Sequence, residues 1–413
     1  MEPIEPLIIK TWKAAASLRN ASNGQIKAML TMMAALLEQN SKAVLRANAK
    51  DLAKQDPKNP RNDRLMLDAQ RISAIARGIR NVSRLPDPSG KVLSKKKLRN
   101  GLRIEKITVP LGVVGAVYES RPNVTFDIAA LCLRSRNAAV LKGSSEADET
   151  NKAAVRLIKK ALKANDIHPD CVTLLPSGRE TVAELFTATR WVDVLIPRGS
   201  DSLIRYVRKN SLVPVIETGA GVCHLYVEKE ADVDMAVKIA VNAKVSRPSV
   251  CNAIDTVLVD AAIAPAFLKK LQVPFSGHGV EIFADAGARR LLKDYPLLRK
   301  AAPEDFAREF LSLKCAVKLV KNMDEALLHI QEYSTKHSEA IVSGNRHQCE
   351  RFLGAVDAAT VYTNASTRFT DGEALGLGAE IGISTQKLHA RGPFALEKLV
   401  TEKWLIRGNG QVR

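Results

Sequence analysis

The chain lacks most of what would mark a membrane, secreted or repetitive protein. None of its six cysteines (132, 171, 223, 251, 315 and 349) stands in a Cys-x-x-Cys pair, so the spacing offers neither a zinc knuckle nor a disulfide frame. Scattered single cysteines in a chain of 413 residues read as reduced thiols in a cytosol. The longest uncharged apolar run, Ile107 to Tyr118, falls short of the roughly 20 residues that a membrane helix needs. The N-terminus, Met1-Glu2-Pro3-Ile4-Glu5, carries acids where a secretory signal carries bases. A cytoplasmic protein with no membrane partner is expected. There is no low-complexity tract and no internal repeat. The common dinucleotide fingerprint Gly-x-Gly-x-x-Gly is missing too.

What is present is an ordinary globular composition, 46% hydrophobic and 26% charged, long enough for two or three domains. The unusual number is the net charge, +18. Nucleic acid is the first partner such a charge suggests. The bases are spread along the chain, however, and aromatics make up only 5%, so no nucleic-acid partner is expected. Two readings of the charge stay open: a solvated basic surface, or steering of small anionic substrates.

Periodicity divides the chain. Residues 1 to about 92 read as helical. Ile26, Met29, Leu30, Met33, Leu36 and Leu37 fall on one helical face, and Arg64 to Leu85 repeats the pattern. Pro86-Asp87-Pro88-Ser89-Gly90 then breaks it. Val92 to Thr108 alternates around Asn100-Gly101, a strong hairpin signal. A hairpin alone is marginally stable. It reads as an arm that pairs with another subunit, the alternative being a surface hairpin on its own core. From Ile107 to Val259, β-runs (107–118, 138–141, 171–175, 192–196, 213–216) alternate with helices (123–135, 146–164, 179–187, 200–208). That order implies parallel strands with helices on both faces, with ligands beyond the strands' carboxyl ends. A second alternation follows, with strands at 316–320, 340–342 and 360–362 and helices at 323–333 and 348–356.

Three strand ends fit a ligand site: Lys142-Gly143-Ser144-Ser145, Pro176-Ser177-Gly178-Arg179 and Pro197-Arg198-Gly199-Ser200. Each sets Gly or Ser and a cation just before a helix, where free N–H groups and the dipole attract phosphate. Together they suggest a dinucleotide site. The stretch Ser246-Arg247-Pro248-Ser249-Val250-Cys251-Asn252-Ala253 places one cysteine between a helix and a β-run. A thiolate there can reach a cleft while its backbone is held; a packing cysteine is the alternative. Residues 364–393 are dense in glycine, hydroxyls and cations. Such a loop reads as functional, with Arg368 and Arg391 as carboxylate or phosphate forks.

Val109-Pro110-Leu111-Gly112-Val113-Val114-Gly115, Tyr118-Glu119-Ser120-Arg121-Pro122-Asn123, the Cys251 stretch and the 364–393 block resemble the gamma-glutamyl phosphate reductase family of the aldehyde dehydrogenase superfamily. The likeness runs from about residue 10 to the C-terminus. It implies an α/β, aldehyde dehydrogenase-like fold: a Rossmann-type cofactor domain, a smaller α/β catalytic domain and a β-hairpin oligomerisation arm. The expected segments are 1–92 and 112–219 (cofactor domain), 93–111 (hairpin), 220–365 (catalytic domain), 366–393 (substrate loop) and 394–413 (oligomerisation tail).

The resemblance further implies NADPH-dependent reduction of L-glutamyl 5-phosphate to L-glutamate 5-semialdehyde, with release of phosphate and formation of NADP+. This is the second step of proline biosynthesis. Cys251 would be the nucleophile and Asn123 an oxyanion donor, a helix N-cap being the alternative for Asn123. Lys142, Ser145, Ser177, Gly178, Gly199, Ser200 and Glu309 would hold the cofactor, with Ser200 capping the helix under the pyrophosphate. For Glu309 the alternative is a solvated helix-end acid. Arg121, Arg247, Asn364, Arg368 and Arg391 would hold substrate, and Arg247 fits equally a thiolate stabiliser or a leaving-phosphate site. No metal is implied. A homodimer or homotetramer is expected, and a glutamate 5-kinase is a possible partner. The sequence departs from the family pattern at Ser145, where many members carry a second base, and at Glu373-Ala374-Leu375, usually Gly-x-Phe. A non-phosphorylating aldehyde dehydrogenase, with Glu217 as base, is the competing enzyme.

Overall fold

The computed structural model describes residues 3–57, 62–119, 121–178 and 180–413. The chain forms two compact units. One takes the chain up to Thr218 together with Gly376–Gly382 and Phe394–Arg413; the other takes Gly219–Leu375 with Ile383–Pro393.

The first unit opens with helices α1 (Glu5–Asn20), α2 (Asn23–Gln39), α3 (Ser41–Leu52), α4 (Asn62–Leu65) and α5 (Ala69–Arg84). A capping box starts α2: Ser22 Oγ accepts from the Gln25 N–H at 3.1 Å, and Gln25 Oε1 accepts from the Ser22 N–H at 2.9 Å. Its apolar face is buried as the periodicity predicts. The continuous helix expected from Arg64 to Leu85 is interrupted. Buried Asn48 takes the Leu67 N–H at 2.8 Å and donates to the Leu65 carbonyl at 2.9 Å. Asp68 then caps a fresh helix.

The hairpin forms as β1 (Val92–Lys97) and β2 (Arg103–Pro110). The C-terminal strand Val400–Arg407 pairs antiparallel along the other edge of β2, from Pro110 to Arg103. The third strand that a hairpin needs thus comes from the same chain. β3 (Val113–Tyr118), α6 (Pro122–Arg134), β4 (Ala138–Lys142), α7 (Asp148–Lys163), β5 (Val172–Leu174), α8 (Glu180–Thr187), β6 (Val194–Arg198) and α9 (Asp201–Asn210) follow. The sheet runs β5-β4-β3-β6, all parallel. The strand expected at 213–216 is reduced to one bridge between Val215 and Leu195. Pro214 has no N–H to give a ladder.

The second unit has fewer residues and the larger sheet. Its elements are β7 (Cys223–Val227), α10 (Val233–Val245), β8 (Ile254–Asp260), α11 (Ala264–Gly277), β9 (Glu281–Ala284), α12 (Ala286–Leu291), β10 (Leu298–Lys300), β11 (Lys314–Val320), α13 (Met323–Tyr333), β12 (Ser338–Val342), α14 (Arg346–Ala355) and β13 (Thr360–Thr363). Seven parallel strands run β10-β9-β11-β8-β7-β12-β13. The periodicity expected neither β7, β9 nor β10. They are short or flanked by polar residues, and no clean alternation marks them. One buried ion pair bears on the site. Lys244, in the last turn of α10, lies 3.2 Å from Asp255 of β8. Burial pushes the Asp255 carboxyl up to about 6, against the pull of Lys244. The pair pins both ends of the segment that carries Cys251.

Candidate active site

Cys251 lies on the turn between α10 and β8, half-buried; the other five thiols are buried. Burial pushes Cys132 and Cys315 up to about 12, Cys171 to about 11 and Cys223 well above the ordinary range. A buried neutral thiol is inert, so Cys251 is the thiol that chemistry can reach. Its backbone is tightly packed. A Cβ on Gly221 would lie 1.6 Å from the Cys251 carbonyl oxygen, so only glycine fits there. The Cys223 thiol donates to that same oxygen at 3.2 Å. The Gly221 N–H donates to Glu309 Oε1 at 2.8 Å. Glu309 is therefore no solvated helix-end acid: its carboxylate holds the chain that presses on the cysteine.

The segment following β13 packs against this turn. Asn252 donates to the Thr370 carbonyl at 2.9 Å, and its own carbonyl accepts from Thr367 Oγ1 at 2.7 Å. Arg368 donates to Asn252 Oδ1 and to Ser246 Oγ, the latter at 3.2 Å. Burial first, then the charge of Arg247, lowers the Arg368 pKa, while Asp371 and Cys251 oppose this. The Arg368 guanidinium is thus held by Asn252, the residue after Cys251, and feels the charge of Arg247. The other two expected substrate residues of this unit are engaged elsewhere. Arg391 donates to Asp357 at 2.9 Å, and Asp357 also binds Lys387 at 2.9 Å and Lys336 at 3.4 Å. Lys387 and Arg391 hold the Asp357 carboxyl far below the carboxylate range. Asn364, in a left-handed turn at φ 53°, brackets Ser343 with both amide atoms, each at 3.0 Å.

In the first unit the three expected strand ends lie at the carboxyl edge of one parallel sheet. Lys142, at the end of β4, is buried, and Nζ donates to the Ser177 carbonyl at 2.9 Å and the Gly143 carbonyl at 3.1 Å. Burial lowers its pKa. Ser145 is exposed and opens a 3-10 turn capped by Ser144. Ser177 and Gly178 lead into α8, where Thr181 Oγ1 donates to the Gly178 carbonyl at 2.7 Å; Arg179 lies outside the described residues, as does Ser120. Ser200 caps α9, accepting from the Leu203 N–H at 3.3 Å. Glu119 sits on that cap, accepting from the Ser200 N–H at 2.8 Å and Oγ at 2.6 Å. This set of ammonium, hydroxyls and helix N-termini fits the phosphates and hydroxyls of a dinucleotide.

Arg121 is exposed and immediately precedes α6. Asn123 is inside that helix, not its N-cap: Arg121 takes the cap position and Pro122 the first turn. The Asn123 amide donates to Asp127 Oδ2, one turn on, at 2.8 Å. Glu217 pairs with Arg208 at 3.4 Å. Sequence reasoning passed over Asn252, Thr370 and Gly221 as site residues. Asn252 adjoins Cys251, which was the available signal; Gly221 carried none.

The aldehyde dehydrogenase family model matches residues 2–278 of the chain. A gamma-glutamyl phosphate reductase of Pelodictyon phaeoclathratiforme is 49% identical over 415 residues, covering 100% of this chain and 99% of that one. One from Chlorobium phaeobacteroides is 50% identical with the same coverage. The crystal structure of a gamma-glutamyl phosphate reductase from Thermotoga maritima matches at a TM-score of 0.97 with 40% identity, covering 100% of both chains.

Proposed function

Because the chain belongs to the gamma-glutamyl phosphate reductases of the aldehyde dehydrogenase family, we propose that it reduces L-glutamyl 5-phosphate to L-glutamate 5-semialdehyde with release of phosphate, through a thioacyl intermediate on Cys251, in the proline pathway. The observation that carries this reading is a half-buried thiol, Cys251, on a turn whose next residue, Asn252, holds the Arg368 guanidinium.

The Cys251 thiolate attacks the acyl carbon. An S–C bond forms, the bond between the acyl carbon and the bridging oxygen breaks, and phosphate leaves with the electron pair. A thioester suits the next step because it accepts a hydride and then releases its thiolate readily. The cofactor is a nicotinamide dinucleotide, which supplies that hydride when bound. Asn123 has a second amide N–H beyond the one given to Asp127, and its role is to donate it to the oxygen that gains charge. Such a donor is worth roughly 3 kcal/mol. Arg247 and Arg368 receive the phosphate, Arg121 bounds the rest of the substrate, and Asn364 and Arg391 shape that boundary through Ser343 and Asp357. Lys142, Ser145, Ser177, Gly178, Gly199, Ser200 and Glu309 hold the cofactor. NADPH is the preferred form: Ser145 is exposed and accommodates a 2′-phosphate, where an acid would repel it.

The exposed Val92, Leu93, Trp404 and Ile406 on the three-stranded sheet support a homodimer or homotetramer assembled through that arm, with light scattering as the check. A glutamate 5-kinase would be the source of the labile acyl phosphate.

The test runs the reaction backwards: oxidation of glutamate 5-semialdehyde with NADP+ and with NAD+, each with and without phosphate. Strict phosphate dependence and faster turnover with NADP+ are expected, and Cys251→Ala should abolish turnover while still binding NADPH. Oxidation that proceeds equally well without phosphate would overturn the reading and return Glu217 to consideration as a base.

A further inference from the structure

Arg368 is held in place from several sides, and one residue does most of the holding. Asn252 is buried, and its amide faces Arg368 with both ends. Oδ1 accepts from the Arg368 guanidinium. Nδ2 donates to the Arg368 carbonyl at 3.4 Å and the Thr370 carbonyl at 2.9 Å. The Asn252 carbonyl accepts from Thr367 Oγ1 at 2.7 Å. Ser246 adds one contact, accepting from Arg368 Nε at 3.2 Å. Arg247 contrasts with this. It is exposed, and among the described residues no hydrogen bond or ion pair holds its side chain. One of the two cations is fixed and the other is exposed to solvent.

We propose that Asn252 is a positioning residue for the acyl-transfer step: it fixes the Arg368 guanidinium beside Cys251, where it favours the thiolate and meets the departing phosphate together with Arg247. The inference rests on Cys251 being the nucleophile. Two of the five guanidinium N–H groups go to Asn252 and Ser246, which leaves three for an anion. When the C–O bond breaks, the electron pair moves onto a phosphate oxygen, and a cation already in place needs no reorganisation to receive it. A side chain that had to be gathered from solvent would lose rotamer freedom at that moment. The bonds from Asn252 to residues 367, 368 and 370 mean that the turn bearing the nucleophile and the segment bearing the cation move as one piece.

The experiment compares Asn252→Ala, Arg368→Ala and the double variant in the full chain. Three readouts are needed: KM for phosphate in the aldehyde-oxidising direction, the pH midpoint of Cys251 alkylation by iodoacetamide, and NADPH affinity. Asn252→Ala should raise the phosphate KM about tenfold and move the alkylation midpoint upward, with NADPH affinity unchanged. If Asn252 acts through Arg368, the double variant should be no worse than Arg368→Ala alone, since the two side chains share one interaction. Multiplicative losses, or an Asn252→Ala protein with the parent's phosphate KM and alkylation profile, overturn the proposal. Should Asn252→Ala not fold, Ser246→Ala removes the Nε contact alone. It must then show the same two shifts at smaller size, and an unchanged Ser246→Ala overturns the proposal. Failure of the nucleophile reading is distinguishable, because Cys251→Ala would then remain active whatever Asn252 does.

Discussion

The strand ends of the first unit and the cysteine turn of the second are built by different means. At the strand ends the main chain does the shaping: short turns and glycines follow each strand, Ser144 and Ser200 cap the turns after β4 and β6, and the long-range contacts are side chains resting on them, such as Glu119 on Ser200. At the cysteine turn, side chains far apart in sequence lock backbone to backbone. Asn252 reaches Thr370, Thr367 reaches Asn252, and Gly221 lies directly on the Cys251 carbonyl. On the proposed reaction, the first site binds a long, flexible dinucleotide and tolerates local give. The second would have to present one sulfur atom to a reacting carbon and does not, since a misplacement of about 1 Å can cost around 100-fold in rate.

The sharpest break of this comparison is a matched pair of glycine substitutions. Gly221→Ala puts its Cβ 1.6 Å from the Cys251 carbonyl oxygen, a backbone atom that cannot step aside alone. Gly199→Ala meets Glu119 at 2.7 Å, at the far end of a flexible side chain. The turn of the second unit must shift as a body, so Gly221→Ala should lower kcat by about 100-fold and destabilise by roughly 1–3 kcal/mol. Gly199→Ala should keep kcat within about threefold, the range expected when a surface side chain re-adjusts. Steady-state kinetics and thermal midpoints measure both. Equal losses would mean that the first unit is as rigidly specified as the second.

The same contrast explains what the sequence disclosed. The three strand ends were legible because Gly, Ser and a cation before a helix is a local pattern, and the cap at Ser200 that the family resemblance implied is formed. The apolar face of α2 was legible for the same reason. Asn48 was not: its two bonds to Leu65 and Leu67 break a helix that periodicity alone would continue. Nor was the strand that completes the hairpin, because Val400–Arg407 lies some three hundred residues away along the chain. Around Cys251 the residue types were legible and their couplings were not. Nothing local says that Asn364 brackets Ser343, or that Arg391 faces Asp357.

A second way to sharpen the comparison uses pH within the first unit. Burial pushes the Asp127 carboxyl up to about 6 from 3.8, while the Asn123 amide and the charge of Arg198 pull it down. The folded state therefore favours the protonated acid. That stabilisation is fully present below the unfolded pKa and is lost as pH rises from about 4 to about 6. Asp127→Asn removes the titration and keeps an acceptor for Asn123. It should raise the thermal midpoint at pH 8 and give no gain at pH 4. The gain amounts to at most about 3 kcal/mol, less where the partly open face of Asp127 admits water to screen its charge. If Asn123 serves the oxyanion, the variant should also flatten the activity profile between pH 5 and 7. A midpoint that changes equally at both pH values would place the effect in packing and not in charge.

The smallest expected effect lies at the cap of α9. The Glu119 carboxylate takes both the N–H and the hydroxyl of Ser200, so it occupies with negative charge the helix N-terminus that a cofactor phosphate would use. A phosphate arriving there must displace it or share the cap with it, against like-charge repulsion. Glu119→Gln keeps one acceptor for Ser200 and removes the charge. NADPH affinity by fluorescence titration should then tighten about threefold, equivalent to well under 1 kcal/mol, and the gain should shrink as salt is added, because exposed charges are screened within a Debye length. kcat should not move, since nothing about the cysteine turn has changed. A weaker affinity would show instead that Glu119 itself holds the cofactor, through a hydroxyl that prefers a carboxylate. The adaptable cap of the first unit would then be as specific as the locked turn of the second.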